Sequence, residues 1–166
     1  MADRKLAYAS SAAVTCTLAS LASDTNLLAG RESAEIDNTT NKYLDYILGG
    51  KFTTGTSPTA SRNYEVWLIP LVEDATYPDV FDGTDSNETA TTRDMLAAYG
   101  VCVTNILTTN TSDRTYWWGG VSARRSFGGT LPKKFTTFHV HNTGVNSNST
   151  AGNHAVYHTG VYETIA

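Results

Sequence analysis

The segment Asn63 to Val72, NYEVWLIPLV, is the most apolar stretch of the chain, and its alternation limits what its surroundings can become. Tyr64, Val66 and Leu68 fall on one face of an extended strand, and Glu65, Trp67 and Ile69 on the other. Pro70 supplies no ladder N–H, so the strand is expected to lie at an edge, to be bulged or to end there. Val14-Thr15-Cys16-Thr17-Leu18 repeats the period-two pattern of a half-buried strand. Lys42 to Thr54 reads as a strand, a Gly49-Gly50 kink or bulge, and a continuation. Further strands are expected over Val101–Thr108, Arg114–Ala123, Phe135–His141 and Ala155–Thr164. Thr92 to Tyr99 is the one short helix, closed by Gly100. Seven or eight short strands with so little helix predict an all-β fold: an antiparallel β-sandwich, jelly-roll-like.

A chain of 166 residues suits one domain. We divide it into an N-terminal arm, residues 1–13, and a single β-sandwich domain, 14–166. The formal charge of -4 excludes a general nucleic-acid binder, which needs a net basic footprint. Three Trp, nine Tyr and five Phe supply core material and argue against disorder. Solubility comes from uncharged polarity, since 26 Thr, 13 Ser and 11 Asn outweigh a charged fraction of 17%. The stretch after Arg4 and Lys5 is broken by Ser10, Ser11, Thr15 and Thr17, so it makes a weak signal peptide, and no apolar run is long enough to span a membrane. Cytoplasmic synthesis without secretion is expected. Cys16 and Cys102, with no CxxC, are read as free small hydrophobes, although they could pair.

No GxSxG, P-loop, dinucleotide fingerprint or HExxH occurs, so no catalytic residues are assigned and a non-enzyme is expected, with no cofactor. His139 and His141, two apart on a strand, leave the same face as a metal-ligand pair would, with His158 as a possible third. Hydrogen-bonding histidines are the favoured reading, and no metal site is assigned. Asp79, Asp82, Asp85, Asn87 and Glu88 surround Gly83 in one acidic loop, which suits calcium chemistry but lacks the EF-hand spacing; a solvated loop is the default. Adjacent Trp117 and Trp118 must point to opposite faces, one into the core and one outward to a sugar or a protein. Arg114 to Lys134 carries five cations and no acid, whereas Glu73 to Asp94 carries seven acids and one cation. Such opposite patches permit self-association or docking to a charged lattice.

Four segments together carry a resemblance. They are YLDYILGGKFTTG (Tyr43–Gly55), YPDVFDGTDS (Tyr77–Ser86), LPKKFTTFHVHNTGV (Leu131–Val145) and NHAVYHTGVY (Asn153–Tyr162). In these the chain resembles small virion structural proteins of tailed bacteriophages, of the head or capsid decoration type. That resemblance implies a non-enzymatic protein on the outer capsid surface, made in the host cytoplasm. It would bind the major capsid protein lattice, as a homo-oligomer such as a trimer, without nucleic acid or membrane. The candidate partner-binding residues are Arg4, Lys5, Trp117, Trp118, Arg124, Arg125, Lys133 and Lys134. The arm carrying Arg4 and Lys5 is expected to order against a neighbour. The competing expectation is a tail-associated or fibre-like module that recognises host glycans through an outward Trp, and a third is a metal-dependent enzyme built on the histidine pair.

Overall fold

A computed structural model describes residues 3–165. In chain order the strands are β1 (Arg4–Tyr8), β2 (Ala12–Val14), β3 (Ala29–Glu32), β4 (Ile36–Asp37), β5 (Asp45–Thr53), β6 (Arg62–Pro70), β7 (Asn87–Thr89), β8 (Val101–Thr108), β9 (Thr115–Ser122), β10 (Lys134–His141) and β11 (Ala155–Ile165). Two short helices, α1 (Arg93–Tyr99) and α2 (Ala123–Ser126), and a 3-10 turn at Ala151–Asn153 complete the regular structure. Sheet I runs β1-β11-β5-β9, with β2 on the same side of β11 as β1. Sheet II runs β7-β3-β10-β6-β8, with β4 also on β10. All pairings are antiparallel. If β1 with β2 and β3 with β4 each count as one broken strand, eight strands fall into two sheets in jelly-roll order, with β7 as an extra edge.

The alternation in β6 places its two faces in two separate cores. Tyr64, Val66 and Leu68 join Leu18, Tyr46, Leu48, Phe52, Phe135 and Val156 between the sheets. Trp67 and Ile69 join Phe138, Val140, Leu96, Tyr77 and Phe81 on the far side of sheet II, beneath α1 and the loops that flank it. Sheet II is therefore buried on both faces, and seven of the eight residues of β10 are buried. Full burial of a Leu or Phe side chain contributes roughly 1.5–3 kcal/mol, so this double cover accounts for much of the driving force. Among the described residues, sheet I has no such roof.

Several expectations hold at residue level. β6 ends at Pro70, and it lies inside the sheet between β10 and β8. The ladder between β5 and β9 shifts register between Leu48 and Gly50, where the Gly-Gly pair lies. A Cβ on Gly50 would collide with the Ala155 carbonyl and crowd the Trp118 indole, so the bulge requires glycine. Thr92 caps α1 by accepting the Met95 N–H at 3.1 Å, and the Gly100 N–H closes the helix onto the Leu96 carbonyl at 2.8 Å.

Others need correction. Thr15 to Leu18 is not strand; β2 stops at Val14, and Leu18 turns inward to the core. A second helix, α2, follows β9, because the Ser122 hydroxyl accepts the Arg125 N–H at 3.0 Å and caps it. Within the described part of the proposed arm, Arg4–Tyr8 pairs along β11 as β1 and Ala12 and Ala13 pair with it as part of β2, so a boundary at residue 13 cuts through β2. Met1 and Ala2 lie outside the described residues.

Candidate functional site

The four histidines, the clearest concentration of chemistry in the sequence, lie inside the sandwich or against it. His139 and His141 do share a face of β10, and that face is the closed interior. His139 is fully buried between the Tyr64 hydroxyl, 2.7 Å from Nδ1, and the Thr137 hydroxyl, 2.8 Å from Nε2. His141 donates from Nε2 to the Leu21 carbonyl at 3.0 Å, with the Thr143 hydroxyl 3.0 Å from Nδ1. Burial holds both rings neutral, pushing His139 down to about 3 and His141 down to about 4. His154 donates from Nε2 to the Asn148 carbonyl at 2.9 Å, and His158 packs edge-on against Tyr46. The rings of His139, His141 and His154 are thus occupied by protein groups, whereas the buried Nδ1 of His158 has no hydrogen-bond partner among the described residues. Among the described residues, no three His, Cys, Asp or Glu side chains converge as metal ligands would.

The acidic loop is likewise spent on its own architecture. Asp85 pairs with Arg31 at 2.6 Å and accepts from the Thr17 backbone and hydroxyl. Asp79 accepts from the Thr91 N–H and hydroxyl and from the Tyr99 hydroxyl. Burial opposes its charge, but these bonds outweigh it and hold the carboxyl below the usual range. Asp82 caps Thr84. The carboxylates point to separate tasks and do not meet around one ion. Sequence reasoning missed Glu32, which is fully buried and accepts the Gly83 N–H at 2.8 Å and the Asp82 N–H at 3.2 Å. Burial raises its carboxyl to about 7. The cysteines are free: Cys16 packs against the core, where burial pushes its thiol far up, and Cys102 is exposed.

The proposed docking residues scatter. Lys133 reaches Asp74 at 2.6 Å, and Lys134 reaches Glu35 at 2.7 Å and Asp37 at 3.4 Å, so both are engaged within the chain. Arg124 donates to the Gly129 carbonyl at 2.8 Å. Arg124 and Arg125 lie on α2, while Arg4 and Lys5 lie on β1 at the opposite edge of sheet I from β9. The strand parity resolves the tryptophan pair: Trp118 is the inward one, 8% exposed and part of the core, and it drops out of the docking set. Trp117 points outward, 69% exposed, with Lys51 Nζ 5.7 Å from its ring centre.

What emerges is a face. Trp117 is cross-strand to Lys51, and Tyr157 is cross-strand to Gly49, all on the outer side of sheet I. By the same alternation Ile165 on β11, and Leu6 and Tyr8 opposite Glu163 and Val161, belong to that side. Leu6, Tyr8, Trp117, Tyr157 and Ile165 are all exposed. Only Trp117 of this set was legible in the sequence as an outward candidate. The other positions become one surface only after β1 and β9 are joined through β11 and β5.

No family model matches the chain. No curated protein matches it either, and no solved structure does. No helix among the described residues is long and apolar enough to cross a membrane.

Proposed function

We propose that this is a non-enzymatic virion structural protein of a tailed bacteriophage that decorates the head. On this reading it binds the major capsid protein lattice from outside and stabilises it. The observation that carries the reading is the unequal cover of the two sheets. Sheet II is roofed, whereas sheet I presents a broad outer face with exposed aromatic and aliphatic side chains. Exposed apolar side chains gathered on one face mark an interaction surface even with Lys51, Thr159 and Glu163 among them, and a flat one suits a protein lattice better than a small substrate. Jelly rolls recur in viral capsid proteins, which supports the reading at the level of fold only. Many copies on a symmetric shell bind by avidity, so each contact can be weak.

The test is co-sedimentation with assembled heads of the encoding phage, read beside the melting temperature of the shell. Binding with heat protection is expected, and the double variant Trp117→Ala/Tyr157→Ala should weaken binding at least about tenfold, a loss of about 1.4 kcal/mol per site. Wild-type protein that stays in the supernatant overturns the reading.

One observation favours a second reading, a glycan-binding module of the tail or a fibre. The Trp117 indole stands out of the sheet beside Lys51 and next to the Gly49 and Gly119 backbone, where a Cβ on Gly119 would meet nothing closer than 3.6 Å. An open aromatic face over a smooth floor is suited to stacking against a sugar ring. A glycan-array signal lost in Trp117→Ala, from a protein that ignores heads, would move the assignment to this reading.

A further inference from the structure

Beyond Val161, β11 leaves the sandwich. β5 pairs with it only as far as Asp45 opposite Val161, and Tyr162 to Ile165 pair with β1 alone. Sheet I therefore ends in a two-stranded ribbon, and such ribbons are marginally stable without a third strand. Its composition is that of an unfinished sheet: Leu6, Tyr8 and Ile165 are exposed at 64%, 65% and 74%.

The hydrogen bonds fix which way each main-chain group points. The Ala9 N–H donates to the Gly160 carbonyl at 2.9 Å, and the Leu44 N–H to the Val161 carbonyl at 2.7 Å. Odd residues of β11 thus face β5, and even ones face β1. On β1, Lys5 and Ala7 bond inward to β11, while Arg4, Leu6 and Tyr8 turn their N–H and C=O groups out to the open edge. Among the described residues no strand covers that edge.

We infer that the open edge of β1 pairs antiparallel with β1 of a second copy, about a two-fold axis at Leu6. In that register Leu6 lies opposite Leu6 of the second copy, and Arg4 lies opposite the second copy's Tyr8. Each open position then exchanges both main-chain bonds, about six in all across three pairs. Arg4, which reaches Glu163 of its own copy at 3.3 Å, then lies across from a tyrosine ring, a pairing that permits a cation–π contact. Lys5 lies opposite Ala7, so no two like charges stand directly opposite each other. Self-complementarity of this kind is what a two-fold interface requires. The result is a four-stranded sheet, β11-β1-β1-β11, in which the Leu6, Tyr8 and Ile165 side chains of both copies lie side by side.

The other edges of the sandwich are blunted in ways that β1 is not. β7 has three residues, β8 is broken by a register shift opposite Val66 and Trp67, and β9 is interrupted by Gly120 at φ +68°. The pairing holds whether or not the protein sits on a virion. A ribbon this narrow buries less than the roughly 1,200 Å² of a standard specific interface, so a concentration-dependent dimer is expected.

Sedimentation velocity from about 10 μM to about 1 mM tests it, a range that brackets weak association. The wild type should pass from monomer to dimer. Leu6→Pro should stay monomeric with an unchanged melting temperature, because the N–H it removes faces away from β11. In a Cys102→Ser background, oxidised Leu6→Cys should form a covalent dimer, since paired Cα atoms lie about 5.5 Å apart, within disulfide reach. Leu107→Cys, equally exposed at 64% but on β8, is the control and should cross-link much more slowly. A monomer at the highest concentration, a trimer, a dimer that survives Leu6→Pro, or equal cross-linking by the two cysteine variants would each overturn the inference.

Discussion

Acidification from pH 7 to pH 4 should cost the fold about 3 kcal/mol net, and replacing Glu32 by Gln should roughly double that loss. His139 and His141 are buried neutral, with folded values of about 3 and about 4 against an ordinary 6.5. A depressed histidine gives stability that is complete above its unfolded value and is lost as pH falls towards the folded one. At pH 4 the unfolded chain binds two protons that the folded chain largely refuses, a loss of about 6 kcal/mol. His154 and His158, also depressed by burial, act in the same direction. Glu32 acts oppositely. Its raised value, about 7, gives stability that is complete below its ordinary 4.5 and lost as pH rises through 7. Acidification therefore returns about 3 kcal/mol through this one carboxyl. Chemical denaturation of both proteins at pH 7, 6, 5 and 4, each referred to its own value at pH 7, isolates the slopes. A flat profile for the wild type, or parallel profiles for the two proteins, would sink the account.

The sequence carried the parts of this interior that depend on period alone. Alternation in NYEVWLIPLV separated Tyr64, Val66 and Leu68 from Trp67 and Ile69, and those sets became the two cores. Gly100 marked the end of α1, because a cap is local chemistry, whereas Thr92, read as the first helical residue, is the N-cap. Elements made by partners were illegible. β3, β4 and β7 hold two to four residues each and exist because β10 and β3 template them. β1 reads RKLAY, polar enough to pass for a loose arm, and is strand because β11 runs alongside it. The candidate site suffered from the same limit. Sequence spacing put His139 and His141 on one face, but only the second sheet decides that the face is closed. Glu32 sits among residues with no apolar signal, and its burial comes from the 82–83 loop folding over it. The outer face of sheet I joins residues about 160 positions apart, which no window on the sequence brings together.

Glu65→Ala should destabilise the protein by about 2–4 kcal/mol, shifted down by about 1 kcal/mol from the range for a fully desolvated pair because Arg93 keeps partial contact with water. Glu65 is 3% exposed on the roofed side of sheet II. It accepts from the Arg93 guanidinium at 2.8 and 3.2 Å, from the Trp67 indole N–H at 2.9 Å and from the Asn105 amide at 3.4 Å. Arg93 opens α1, lies 5.0 Å over the Trp67 ring, and donates to the Leu27 carbonyl at 3.1 Å. One carboxylate thus fastens helix, strand and loop over the second core. Alanine leaves a half-buried guanidinium and an indole N–H without their acceptor, a cost that adds to the lost attraction. Glu65→Gln keeps an acceptor for Trp67, so it should lose less than half as much. In the double variant with Arg93→Ala the losses should fall short of their sum, since both remove one contact. Amide exchange supplies the local reading: protection across Arg93–Tyr99 should fall further than across β5 and β11. A loss under about 1 kcal/mol with α1 protection intact would show that the roof is held by Leu96 and its apolar neighbours alone. If the roof lifts as expected, Trp67, Ile69 and Phe138 come into water, and the variant should bind hydrophobic dye where the wild type does not. Sheet II thus depends on a cover of α1 and its loops, whereas sheet I leaves Trp117 and Tyr157 in water on its outer face.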